Sequence, residues 1–172
     1  MVLMPQRPYI PLGSLRRAAT YPLSPADAPD GSVRELMETA GLGYLVEHLD
    51  EEAPWNRTLS GGECQRLAFV RLMLHQPDIV VMDEATSALD PASQEHLMTL
   101  VAERLPHTTI VSIAHRPELE AFHHRKLVFE RRPGGARLIG DSVLLPPPAG
   151  LLPRIFAWVR RFPTMAGAHD KL

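Results

Sequence analysis

The residues best suited to chemistry begin with a short apolar run, Ile79-Val80-Val81-Met82, that ends in Asp83-Glu84. Such a run reads as a strand buried on both faces. Carboxylates at the carboxyl end of a parallel strand lie at the crevice where sheets of this kind bind ligands. Asp83 suits Mg²⁺ there, directly or through water, because that ion takes oxygen ligands and keeps several waters. Glu84 is placed to orient or deprotonate an attacking water. A strand capped by solvated acids is common, so this run gains specificity only from its companions.

Leu59-Ser60-Gly61-Gly62-Glu63-Cys64-Gln65-Arg66 sets a serine and two glycines at a helix start. Backbone N–H groups, a hydroxyl and the positive end of the helix dipole converge there, which suits a phosphate. Taken alone, these letters describe an ordinary capped helix. Ser87-Ala88-Leu89-Asp90 follows Glu84 closely, and His115 ends a second apolar run, Thr109–Ile113. Sequential strands often neighbour each other, which would bring His115 beside Asp83 and Glu84. Gln6 follows a first strand, Val2-Leu3-Met4, where its amide reaches toward the same metal and water.

The elements that must position these groups are read from pattern. A short helix is expected at Ser14–Ala19, and Ser32-Val33-Arg34-Glu35 reads as a capping box opening a helix that Gly41 closes. Another short helix, Tyr44–Leu49, completes a small helical group. A longer helix runs from Gly61-Gly62 to about His75, with Leu67, Val70, Arg71 and Leu74 at helical spacing. Asp90-Pro91 opens the next helix, with Asp as cap, Pro at the first turn and a stripe of Leu97, Leu100, Val101 and Leu105. Pro117–Phe122 reads as a short helix. Lys126–Phe129 and Ala136–Ile139, flanking Pro133-Gly134-Gly135, read as an antiparallel hairpin. Strand and helix alternation ending in a hairpin predicts an α/β layered domain. Residues 1–140 form that domain, with a helical subdomain over about 14–75. Residues 141–172 read as a Pro-rich linker and a basic amphipathic tail, Leu151–Phe162, expected to pack on its own domain or to hang loose rather than bind a membrane surface.

Composition narrows the classes. A formal net charge of -2 offers no basic field for nucleic acid. The single cysteine, Cys64, excludes an internal disulfide and suits a reducing compartment. No apolar run is long enough to span a bilayer, so membrane association is expected through another chain or domain.

In order and spacing, MPQRPY, LSGGECQR, IVVMDEATSALD and SIAHRP resemble the ATPase domain of ABC transporters, over roughly residues 1–130. PQRPYIPLGSLRRAATYP and AHRPELEAFHHRKLVFE narrow the resemblance to bacterial fused permease-ATPase exporters akin to the peroxisomal fatty-acyl transporters. The resemblance implies a P-loop NTPase-like fold, with ATP and Mg²⁺ as ligands. It implies a head-to-tail dimer with a second ATPase domain, and a transmembrane permease domain holding both at the cytoplasmic face of a bacterial inner membrane. Gln6 would be the Q-loop glutamine, sensing the metal. Asp83 would be the Walker B aspartate and Glu84 the catalytic carboxylate. His115 would hold the γ-phosphate and water. Ser60, Gly61 and Gly62, with Glu63 at the signature's fifth position, would meet ATP held by the opposite subunit. Asp90 would cross the dimer interface.

One family part has no counterpart here. A P-loop requires G-x-x-x-x-G-K-[ST], yet the two lysines, Lys126 and Lys171, follow Arg and Asp. The expectation is therefore the latter part of an ATPase domain, beginning just before its Q-loop. The alternatives are an inactive remnant or a partner that lends only its signature. A DNA-repair ATPase is disfavoured, because a compact helical stretch without heptads separates Gln6 from Ser60.

Overall fold

The computed structural model describes residues 1–144. Strand β1, Val2–Met4, pairs in parallel with β2, Ile79–Asp83, and β2 pairs in parallel with β3, Thr109–Ile113. The sheet order is β1-β2-β3, so the strand ends after Met4, Asp83 and Ile113 lie at one edge. This is the mixed α/β fold with a parallel sheet that the pattern predicts.

Among the described residues the strands are covered on one face only, against the expectation for Ile79–Met82. Val80 and Met82 join the core, whereas Ile79 is 41% exposed, and Val111 and Ile113 on β3 are 48% and 54% exposed. Side chains alternate across a strand, and the helices cover a single side. A continuous apolar run cannot distinguish one covered face from two.

The helices are α1, Leu15–Thr20; α2, Asp30–Thr39; α3, Trp55–Thr58; α4, Gly61–His75; and α5, Pro91–Arg104. Leu15, Val33, Met37, Leu67, Phe69, Leu97 and Val101 are fully enclosed in one core with Val80 and Met82. Ser14 caps α1 by accepting from the Arg17 amide at 3.2 Å. Asp90 caps α5, accepting from the Ser93 amide at 2.9 Å, with Pro91 at the first turn as expected.

Helix α2 departs from its predicted start. It opens at Asp30 after Pro29, with no side-chain cap, so Ser32 and Glu35 lie inside it. Asp30 in the first turn is held by Arg34 at 2.9 Å and by Arg16 at 2.5 Å, and these pairs favour the earlier start. Glu35 instead pairs with Arg104 of α5 at 2.6 Å. Gly41 does close the helix, at φ +75°, and a Cβ there would lie 2.3 Å from the Arg66 guanidinium.

Gly43–His48 and Pro117–Phe122 are 3₁₀ turns rather than α-helices. The hairpin is longer than predicted, with β4 at Arg125–Arg132 and β5 at Gly135–Val143. Pairing of Arg132 with Gly135 leaves Pro133-Gly134 as the turn. The linker and amphipathic segment expected toward the C-terminus lie, from residue 145 onward, outside the described residues.

Candidate functional site

Parallel pairing brings Gln6, Glu84 and His115 together, each just beyond the end of a neighbouring strand. Gln6 Nε2 donates to Glu84 Oε2 at 2.7 Å. His115 Nε2 lies 3.5 Å from Glu84 Oε1, with its side chain 88% exposed. The Glu84 carboxylate thus has one oxygen on an amide donor and the other facing a solvent-accessible imidazole. A carboxylate so held is aimed, and it retains lone pairs to accept a proton from water.

The backbone beneath it is constrained. Glu84 adopts φ +48°, the left-handed region that a residue with a Cβ seldom occupies. Its amide donates to Ile113 O at 2.9 Å, and its carbonyl accepts from the Ser87 amide at 3.0 Å. Strained non-glycine positions of this kind concentrate at functional sites. Asp83, one residue earlier, is exposed at the end of β2 in register with Ile113.

The Ser60–Glu63 corner is a second, separate cluster. The Ser60 amide donates to Glu63 Oε2 at 2.6 Å, and Ser60 Oγ accepts from the Glu63 amide at 3.3 Å, closing a capping box. The Tyr44 hydroxyl donates to Glu63 Oε1. Contacts with Ser60, then with Tyr44, hold the Glu63 carboxyl below the usual carboxylate range. Desolvation, followed by that carboxylate, pushes the Tyr44 phenol up to about 12. The two glycines lie close against Ala88, Gly62 the more tightly. A Cβ on Gly62 would come within 3.2 Å of Ala88 O, and one on Gly61 within 3.4 Å of the Ala88 Cβ. The start of α4 therefore packs directly against the segment that follows Glu84.

Asp90, at the end of that segment, lies 3.7 Å from Arg66 of α4. The side chain of Ser93, followed by its amide, holds the Asp90 carboxyl below its ordinary value.

Two residues that matter here escaped the sequence patterns. Gln65, 1% exposed, meets the segments carrying Gln6, Glu84 and Ala88. It shares an i, i+4, i+7 stripe with the buried Phe69 and Leu72, and a polar residue on an apolar stripe was the available signal. Arg116 donates to Ser87 O and Leu89 O, both at 2.9 Å, and to Gln94 Oε1 at 3.2 Å. No spacing in the sequence marks it.

The donor set fits Mg²⁺ shared with a polyphosphate. Among the described residues no group of three His, Cys, Asp or Glu side chains forms a closed metal cage. Mg²⁺ at phosphates commonly takes one or two carboxylates and fills its shell with water and phosphate oxygens. Asp83 could supply such a carboxylate, with the Gln6 amide oxygen, left free by the Nε2 contact to Glu84, as a further donor.

Residues 9–87 match the ABC transporter family. An uncharacterized ABC transporter ATP-binding protein of Haemophilus influenzae is 41% identical over 127 residues, covering 73% of this chain and 21% of its own length. The human lysosomal cobalamin transporter ABCD4 is 39% identical over 133 residues, covering 72% of this chain and 22% of its own. The chain therefore spans about a fifth of these curated relatives. A bacterial Atm1-family ABC exporter solved with ATP bound superposes with a TM-score of 0.70 at 26% identity, covering 83% of this chain and 25% of that one.

Proposed function

The chain belongs to the ABC transporter family, and we propose that it supplies the water-activating and signature parts of a site that binds and hydrolyses ATP to drive transport across a membrane. The observation that carries this is the Glu84 carboxylate, fixed between Gln6 at 2.7 Å and His115 at 3.5 Å at the edge of a parallel sheet.

Glu84 accepts the proton of the attacking water, Gln6 holds the carboxylate in line, and His115 steadies the water and terminal phosphate. Asp83, with the Gln6 amide oxygen, would hold Mg²⁺. Bound there, the ion would neutralise charge on the phosphates. Ser60, Gly61 and Gly62, with Glu63 as their cap, present N–H groups and a hydroxyl to the nucleotide of a second ATPase domain. Asp90 lies toward that partner. A permease domain would join the pair to the membrane; among the described residues no helix is long and apolar enough to cross one. The cytoplasmic face of a bacterial inner membrane is the expected location.

A second reading has its own observation. The Ser60–Glu63 corner is fully formed by its own capping contacts. The chain would then lend only its signature face to a complete ATPase domain. ATP turnover by the assembled ATPase containing this chain separates the two. Glu84→Gln is expected to lower kcat by about 100-fold or more, the usual range for a general base, with nucleotide binding retained. If it keeps most of its turnover at saturating Mg-ATP while Ser60→Arg abolishes turnover, Glu84 is not the base and the second reading stands.

A further inference from the structure

The side chain of Gln65 is enclosed, and every polar atom it carries is used. Its Nε2 lies 3.0 Å from Gln6 O, 3.2 Å from Ser87 Oγ and 3.4 Å from Glu84 O. Its Oε1 accepts from the Ala88 amide at 2.9 Å. The chemistry fixes which way the amide faces. Reversed, it would set an oxygen against two carbonyls and an NH₂ against an N–H donor.

These contacts link both ends of one functional hydrogen bond. The Gln6 side chain donates to the Glu84 carboxylate at 2.7 Å, and Gln65 ties down the backbone carbonyls of both residues. Its remaining contacts reach Ser87 and Ala88, and Ala88 is the residue against which Gly61 and Gly62 pack. Gln65 itself stands one turn into α4, the helix that Ser60 opens. One buried amide therefore joins the strand-end carboxylate, the Gln6 loop and the phosphate-facing end of α4.

We propose that Gln65 is a positioning residue for hydrolysis, setting the distance and direction of the Glu84 carboxylate relative to Gln6 and to the Ser60 corner without touching substrate. The proposal rests on the reading of Glu84 as the base. Its physical basis is geometric. Reacting groups must be held close to their productive positions, and a misplacement of about 1 Å can cost about 100-fold in rate. A buried network acts as a unit only while each of its members is satisfied.

Two variants test it. Gln65→Leu keeps the volume but leaves the Ala88 amide and the carbonyls of Gln6 and Glu84 without this partner. Gln65→Glu keeps an acceptor for the Ala88 amide while turning an oxygen toward both carbonyls. In the 172-residue chain, hydrogen exchange of the Ala88 amide should quicken by about 10-fold or more in Gln65→Leu and change little in Gln65→Glu. The amides of Phe69, Val70 and Val80 should keep their wild-type protection in both. In the assembled ATPase, both variants should lower kcat by about 100-fold with the KM for ATP held within about threefold. Turnover within threefold of wild type in either variant overturns the proposal. So does an equal loss of protection throughout α4 and β2, which would make Gln65 a residue of the fold alone. Glu84→Gln, measured alongside, keeps the two ideas apart. If that variant turns over normally, the assignment of the base has failed, while exchange at Ala88 still reports on the Gln65 junction.

Discussion

The helical side of the molecule and its C-terminal hairpin are held together by different means. On the helical side Leu15, Val33, Met37, Leu67, Phe69, Leu97 and Val101 are all closed off from solvent. In the hairpin every residue of β4 is exposed, and β5 is exposed except at Gly140. The hairpin keeps its ladder and side-chain pairs such as Arg125 Nε with Asp141 Oδ1 at 2.7 Å, and exposed pairs of that kind contribute little. Every polar anchor near the site belongs to the first region or reaches it. Gln65 and Arg71 project from α4, and Arg116 grips Gln94 of α5. The loops that carry the candidate site are thus fixed by long side chains bonded to their carbonyls, and those side chains stand on elements whose own position is set by apolar burial.

The largest test of this contrast is a pair of phenylalanines. Phe69 is fully enclosed, and Phe129 on β4 is 60% exposed. Phe69→Ala should cost about 3–5 kcal/mol, the transfer and cavity terms together. Phe129→Ala should stay within about 0.5 kcal/mol, as surface substitutions do. Urea denaturation of the two variants gives the comparison, and similar losses would show that the hairpin is packed as firmly as the helices.

A smaller effect is expected at Arg71. Its Nε donates to Ala18 O at 2.6 Å and its Nη1 to Tyr9 O at 2.8 Å, while its guanidinium carbon lies 5.6 Å from the centre of the Tyr21 ring. Burial pushes the guanidinium down to about 10, so it remains charged at neutral pH. Arg71→Met leaves two carbonyls without this donor and should cost about 1–3 kcal/mol. Lysine should restore little, because one ammonium cannot reproduce the fork. Amide exchange should quicken in residues 6–10 before it does within α4. Uniform acceleration would place Arg71 with the apolar core instead of with the loop anchors.

What the sequence made legible follows the same division. Regular elements announced themselves. The span Thr109–Ile113 matches β3, the Asp90-Pro91 helix start is found as written, and parallel neighbours put His115 beside Glu84. Each of these depends on contacts within one element or between adjacent strands. The Ser32 capping box failed because Pro29 and the ion pairs of Asp30 offered an earlier start to α2. The anchors were hidden for another reason. Gln65 meets Gln6 across 59 residues of sequence and Arg71 meets Tyr9 across 62, and their partners are backbone carbonyls, which carry no letter of their own. Periodicity can flag a polar residue on a buried stripe but cannot name what it bonds.

The finest test lies at the start of α4, where a local device is superimposed on the helical core. The Ser60 hydroxyl and the Glu63 carboxylate each accept from the other residue's amide, and Tyr44 adds a third contact to Glu63. Ser60→Ala removes the cap and should cost about 1 kcal/mol. Glu63→Gln should cost only a few tenths of a kcal/mol at neutral pH (about 0.3), because glutamine also serves at that position of a capping box. The difference between wild type and Glu63→Gln should depend on pH with a definite sign. The folded-state pKa of Glu63 is depressed, with the Ser60 side chain the largest cause. Its contribution is therefore fully present above the unfolded carboxylate value of about 4.3 and is lost as pH falls through the lower folded value. The Tyr44 phenol, pushed up to about 12, stays a donor throughout that range and does not complicate the comparison. Urea midpoints of both proteins should differ at pH 7 and converge in acid. A difference that persists unchanged below the folded-state titration would mean that Glu63 acts through its shape and packing, with its charge contributing nothing to the cap.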